Sequence, residues 1–266
     1  MELFLKPWDR MAEKANAWLF KVLPRIPLKR RYCNICKTYS AYFGPFSPYK
    51  KRVPLFRQTE IVGGGYRKDV VCYKCGALDR HRWIWYVIEH DTDILSGPDK
   101  VLHIAPERKI SALIKEMNPQ CDYITGDINP GPADICVDIR DMSQFADHTF
   151  DYIIMNHVIE HVREEGKALQ ELKRCLKEDG KLFLSFPFSV DRKTYENSEI
   201  VSEKERLFHY GQEDHCRLYG YDCKTRLEEY GFCVKTYTVQ QKLSAKEYRK
   251  MGMLPKDTVF ICTVDD

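Results

Sequence analysis

The stretch Lys100-Val101-Leu102-His103-Ile104-Ala105-Pro106-Glu107, followed through to Asp138, decides the fold of this 266-residue chain. Val101 to Ala105 reads as a short apolar strand, and Pro106 ends it. The spacing of apolar residues then predicts a helix from about Arg108 to Met117. A second strand near Tyr123 to Gly126 delivers Asp127 at its end, and the apolar run Ile135 to Val137 delivers Asp138. Strand, helix and strand closing on an acid make half of a doubly wound nucleotide-binding sheet. An acid after the second strand can accept hydrogen bonds from two ribose hydroxyls. An acid after the third lies near the base.

The loop after the first strand, His103 to Glu107, contains no glycine. Backbone that cradles a pyrophosphate must approach it closely, so this loop argues against a nicotinamide dinucleotide. An adenosyl cofactor without phosphate is compatible with it. Ala105 is small enough for some approach, and Glu107 could receive an ammonium group.

Beyond Asp138 the alternation continues. Phe150 to Met155 is the fourth strand, and its carboxyl end presents Asn156, His157, Glu160 and His161. Glu171 to Leu176 belong to the next helix, which is expected to stop at Lys177-Glu178-Asp179-Gly180 with Gly180 in the left-handed position. Lys181 to Phe186 is the fifth strand, broken by Pro187. A helix from Thr225 to Tyr230 closes at Gly231, and Phe232 to Val239 and Thr258 to Val264 supply two last strands.

Cys33-Asn34-Ile35-Cys36 and Cys72-Tyr73-Lys74-Cys75 are two CxxC knuckles. Cys33, Cys36, Cys72 and Cys75 can place four thiolates tetrahedrally around zinc, and with all four positions filled the metal is structural. Eleven cysteines, four of them in these pairs, suit a reducing compartment better than a disulfide framework. No signal peptide and no apolar run of membrane-spanning length is evident, so a cytoplasmic location is expected. A net charge of +3 gives no strong nucleic-acid signal.

Strand-end Asp127, the pair Asp138-Ile139, Phe150-Asp151-Tyr152-Ile153-Ile154, Val158-Ile159-Glu160-His161-Val162 and Leu176-Lys177-Glu178-Asp179-Gly180-Lys181-Leu182 recur in order. With them the chain, over most of Lys100 to Val264, resembles the class I S-adenosylmethionine-dependent methyltransferases. The preceding CxxC pairs make it look like a bacterial subgroup with an N-terminal zinc-binding module. The resemblance implies an α/β fold: a doubly wound, seven-stranded Rossmann-like methyltransferase sheet with a small zinc ribbon-like module. It implies S-adenosyl-L-methionine and structural Zn2+ as cofactors. Asp127 should then hold the ribose and Asp138 the adenine amine, with Ile139 beside the ring. Ala105 and Glu107 should border the methionine portion, and Asn156 or His157 should sit near the sulfonium methyl.

The chain divides into residues 1–30, residues 31–95 and residues 96–266. The first part predicts a basic amphipathic helix over Met1 to Leu23, suited to peripheral contact with the inner face of a membrane, to its own catalytic domain or to a dimer partner. The second holds the zinc module and a helix from Leu78 to His90, with Asp79 near its N-terminus. There Arg80, His81 and Arg82 face cofactor, anionic substrate or water. The third is the methyltransferase domain, with a substrate insert over 187–226. In that insert His209, Asp214, His215 and Arg217 cluster within nine residues. His157, His209 and His215 are candidate general bases. Asp214 could orient a histidine, and Arg217 could bind an anionic acceptor or an internal acid. His209, Asp214 and His215 could also imitate a metal site. The histidine-rich insert favours methyl transfer to an oxygen of a small metabolite or glycan-like acceptor. The alternatives are an N-methyltransferase acting on a small molecule, protein or RNA, and a non-catalytic zinc-containing scaffold.

Overall fold

A computed structural model describes residues 29–46, 53–129, 131 and 133–264. The predicted helix over Met1 to Leu23 lies outside the described residues. The strands, in chain order, are β1 (Arg31–Cys33), β2 (Thr38–Ser40), β3 (Gly44–Phe46), β4 (Ile61–Val62), β5 (Arg67–Val71), β6 (Lys100–Ile104) and β7 (Asp122–Asp127). They continue as β8 (Ile135–Cys136), β9 (Phe150–Asn156), β10 (Leu176–Ser185), β11 (Phe188–Ser189), β12 (Phe232–Thr238) and β13 (Thr258–Val264).

Seven of these form one mixed sheet in the order β12-β13-β10-β9-β6-β7-β8. Only β13 runs against its neighbours, pairing antiparallel with both β10 and β12. The five strands from β8 to β10 are parallel. The order reverses between β6 and β9, and at such a switch point the strand ends diverge to leave a crevice. This is the expected doubly wound, seven-stranded Rossmann-like sheet, and its crevice positions the site.

Strand alternation divides the core into two layers. Leu102, Ile104, Ile153, Met155, Leu182 and Leu184 face the helix Glu165–Cys175, which adds Ala168, Leu169 and Leu172. Val101, Tyr152, Ile154 and Phe183 face the opposite way, against Trp83, Trp85 and Ile88 of the helix Asp79–Asp91 and Ile110 and Ile114 of the helix Arg108–Met117. That second layer also includes Cys33, Ile35, Phe43 and Cys72. The cysteine-bearing segment therefore shares a core with the sheet.

Two local expectations are corrected. The helix expected to run through Leu176 ends at Cys175, and Gly180 is no left-handed stop: it lies within β10, where the register to β9 shifts between Leu176 and Lys181. A Cβ at Gly180 would come 2.8 Å from the Lys177 carbonyl oxygen and 3.0 Å from that of Phe150. Close backbone, and no turn, is what demands glycine here. Asp79 likewise opens its helix without capping it. Its buried carboxylate is gripped by Arg67 Nε at 2.6 Å.

The N-terminal segment is stitched to the rest at several points. β4 pairs with β11, Val62 opposite Phe188, and Thr59 Oγ1 lies 2.6 Å from Ser189 Oγ. Arg82 is fully buried and donates to the carbonyls of Val70, Ala77, Met251 and Gly252. It faces neither cofactor nor water. No helix among the described residues is long and apolar enough to cross a membrane.

Candidate functional site: a cofactor cleft, a second cavity and a four-cysteine cluster

A cleft of about 740 Å³ opens over the carboxyl ends of β6, β7 and β9. Ala105, Asp127, Asp138, Ile139 and His157 line it, together with Ile104, Val137, Arg140 and His161. Its volume is that of a pocket for one cofactor-sized ligand. Ala105 follows β6 with φ +48°, and its amide donates to the Gly126 carbonyl at 2.8 Å. The left-handed backbone that glycine ordinarily supplies is thus present in a loop without glycine, at a cost of about 1–2 kcal/mol. Gly126 is where closeness does need glycine: a Cβ there would come 2.9 Å from Val137 Cγ2.

Asp127 ends β7, and one of its oxygens accepts from the Asn129 amide at 2.9 Å, which fixes the carboxylate at the cleft. Asp138 is more occupied. Arg140 donates to it through Nε and Nη2 and through its own amide, and these bonds hold the carboxyl below the usual range. Ile139 is buried beside it.

Glu107 stands apart from the cleft lining. Its Oε2 lies 3.0 Å from His103 Nε2. Burial alone would raise Glu107, but the hydrogen bond and charge of His103, with His81 nearby, bring it to about 2. The expected ammonium acceptor is therefore an anion already held by a buried histidine. Asn156 is buried at the end of β9. Its Oδ1 accepts from Ser185 Oγ at 2.8 Å, and its Nδ2 has no hydrogen-bond partner among the described residues.

A smaller cavity of about 190 Å³ adjoins the cleft. His157 and His161 border both. Arg80, Glu160 and His215 complete one side of it, and Phe46, Phe56 and the run Gly63-Gly64-Gly65 form the other. A Cβ on Gly63 would lie 3.6 Å from the His157 ring, so the N-terminal segment walls this cavity directly. His157 itself has φ +55°, and its Nδ1 lies 3.2 Å from Glu160 Oε1. Burial, then the charges of Arg80 and Arg67, push the His157 imidazole well below its ordinary value. Burial raises Glu160 to about 8.

The insert candidates separate. His215 is buried and packs edge-on against His161, ring centroids 4.7 Å apart. Asp214 Oδ2 lies 3.1 Å from His161 Nδ1. His209, on the helix Glu203–Tyr210, sits instead in another cavity with Val53, Pro54 and Phe208, packed near Tyr195. The expected trio of His209, Asp214 and His215 is therefore not one site. Arg217 is also removed from the anionic-acceptor role. Its buried guanidinium donates to the carbonyls of Ile159, Val162 and Arg163 and pairs with Glu196, an internal acid. Glu160 and His161 gained their place from the strand-end turn. Arg80, from the cluster expected to face cofactor, anionic substrate or water, borders the smaller cavity, whereas the position of Arg140 at the cleft had no signal in the sequence.

The four cysteines converge as expected of zinc ligands. Their sulfurs lie within 4.8 Å of one another, with Cys33 to Cys75 at 3.7 Å and Cys36 to Cys72 at 3.8 Å. Tetrahedral Zn–S bonds of about 2.3 Å require sulfurs about 3.8 Å apart, so the donor set fits the metal in type and spacing.

Residues 102–184 match the family model described as a methyltransferase domain. Among solved structures, the chain is similar to an S-adenosylmethionine-dependent methyltransferase from Archaeoglobus fulgidus: 17% identity, 68% of this chain and 92% of that chain covered, TM-score 0.44. It is also similar to a protein from Pyrococcus horikoshii OT3, at 18% identity over 70% of this chain and 91% of that one, TM-score 0.45. No curated protein sequence matches the chain. The matched segment spans β6 to β10, the central strands of the seven-stranded sheet and the cleft at their carboxyl ends.

Proposed function

We propose that the protein transfers the methyl group of S-adenosylmethionine to an oxygen of a small metabolite or glycan-like acceptor, as a member of a bacterial subgroup that carries an N-terminal zinc module. The observation that carries this reading is the junction of the two cavities at His157 and His161. One cavity has the carboxylates for an adenosyl group, and the other is small, polar and closed by the glycine run.

Bound S-adenosylmethionine supplies an electrophilic sulfonium methyl. Asp127 would hold the ribose hydroxyls, Ile139 would pack beside the adenine, and the left-handed turn at Ala105 would let backbone approach the methionine portion. The acceptor occupies the cavity between Gly63 and Glu160. Its hydroxyl must lose a proton as the new bond forms, and His157, bordering both cavities, is the group that takes it. Phe46, Phe56 and the glycine run keep water from the reacting oxygen, and alignment behind the methyl supplies much of the rate.

The test is a labelled-methyl transfer screen with the zinc-loaded full chain. Hydroxylated small acids and nucleotide sugars would be compared with amines, protein and RNA. Label in an alkali-stable ether or in an ester supports the reading. Label found only in amines, protein or RNA overturns it.

A further inference from the structure

We infer that Glu160, His161 and His215 bind a divalent transition-metal ion at the wall of the smaller cavity, separate from the four-cysteine cluster. One ligand atom from each of the three side chains falls within 4.8 Å of the others. Glu160 and His161 belong to the turn Ile159–His161 after β9, whereas His215 comes from the insert, more than fifty residues later. Backbone bonds hold the two segments together. The Cys216 amide donates to the Glu160 carbonyl at 2.8 Å, and Cys216 Sγ lies 3.1 Å from the His161 carbonyl.

Glu160 is the independent sign that something belongs there. Its residue is 1% exposed, and neither carboxylate oxygen has a hydrogen-bond partner among the described residues. His157 Nδ1 stands 3.2 Å from Oε1 but out of line for a bond. A carboxylate buried without donors must take up a proton or gain a cation, and a bound metal ion in the proton's place supplies the missing partner. Arg217 cannot serve, because its guanidinium is already committed to three carbonyls and Glu196.

His161 is oriented as a metal ligand is oriented. Asp214 holds its Nδ1 at 3.1 Å, which leaves Nε2 on the side of Glu160, 4.0 Å from Oε1. A carboxylate on one ring nitrogen and a metal on the other is a recurring arrangement that fixes the tautomer and strengthens the ligand. Tetrahedral bonds of about 2.1 Å place neighbouring ligand atoms about 3.4 Å apart, so a side-chain rotation closes the remaining gap. Two imidazoles and one carboxylate suit zinc, manganese, iron or cobalt better than magnesium or calcium, which prefer oxygen throughout. Three protein ligands leave an open position, and the adjoining cavity of about 190 Å³ offers it to water or to an oxygen-bearing small molecule.

The test uses the full chain with zinc already in the four-cysteine cluster, titrated with Mn2+ and followed by loss of the free Mn2+ electron paramagnetic resonance signal. Thiolate sites disfavour this ion, so the cluster does not compete. One Mn2+ per chain is expected, displaced by a second equivalent of zinc. Glu160→Gln and His215→Ala should each abolish it, with folding checked by a cooperative thermal transition. Asp214→Asn, at an exposed position, should weaken it by about 10–100-fold without touching the fold. His209→Ala should bind as the unaltered chain does. Absence of any metal beyond one zinc per chain overturns the inference. So does full binding by folded Glu160→Gln. Neither result bears on methyl transfer, which the labelled-methyl screen tests separately.

Discussion

The guanidinium of Arg82 donates to the carbonyl of Gly252 at 2.9 Å, joining residues 170 positions apart. The same side chain satisfies Val70 and Ala77 in the cysteine-bearing segment, and Met251 beside Gly252. One buried cation therefore holds the four-cysteine module, the helix Asp79–Asp91 and the turn after the helix Ala245–Met251 in register.

Arg82→Met should destabilise the protein by about 3 kcal/mol or more. It leaves buried carbonyls without donors, and each such loss costs about 1–3 kcal/mol. Equilibrium urea unfolding with zinc present measures it. A midpoint unchanged from the unaltered chain would show that these bonds have equivalents in the unfolded state or in water.

Chelating the zinc should cost more than the module itself. Cys33 and Cys72 belong to the apolar layer that covers one face of the sheet, alongside Trp83 and Phe183. Metal loss exposes that layer, so the apparent Tm should fall by several degrees as bound metal is withdrawn. Calorimetry with and without chelator gives the value, and Cys72→Ser should reproduce it. An unchanged Tm would mean that the four sulfurs hold their places without metal.

The sheet was legible because it rests on local signals. The apolar runs around Ile104, Ile124 and Ile153 alternate with helices at the spacing of a parallel sheet, and the last two end in Asp127 and Asn156. Cys33, Cys36, Cys72 and Cys75 were legible for the same reason, since each knuckle is a local turn. The second cavity was not. His215 reaches His161 because insert and strand-end turn meet in three dimensions, and no spacing in the sequence records that meeting. His209 misled, and Arg217 took the internal-acid alternative, because a cation or imidazole near glycines reads alike whether it faces a carbonyl, an acid or a ligand. Gly180 misled because glycine serves close backbone approach as well as left-handed turns.

The two strand-end acids should differ in weight. Asp127 has one oxygen on the Asn129 amide and otherwise faces the cleft, whereas Asp138 is already engaged by Arg140. Asp127→Ala should weaken S-adenosylmethionine binding by about 100-fold, the worth of one to two hydrogen bonds to a charged group. Asp138→Ala should cost less than about tenfold. Isothermal titration calorimetry decides, and equal losses would show that Arg140 releases Asp138 when the cofactor arrives.

Ala105→Gly should stabilise the fold by up to about 1 kcal/mol. The residue sits at φ +48°, where a Cβ is penalised, and part of the gain is offset by the freer unfolded chain. Urea unfolding of the variant measures the difference. A loss of stability would mean that the alanine methyl packs against its neighbours more strongly than its backbone is strained.

His157→Asn separates chemistry from structure more cleanly than alanine would. His157 has φ +55°, and asparagine tolerates left-handed backbone better than most residues, so the turn after β9 should survive. The variant loses the imidazole that borders both cavities. On the oxygen-transfer reading, kcat should fall by about 100-fold or more while cofactor affinity changes little. His209→Ala should leave both unchanged, because its ring lies in a different cavity beside Pro54 and Phe208. Single-turnover methyl transfer with the acceptor found by the screen supplies the rate, and calorimetry the affinity. Retained turnover in His157→Asn would remove the histidine from the proton's path. The acceptor would then be one that needs no base, such as a carboxylate.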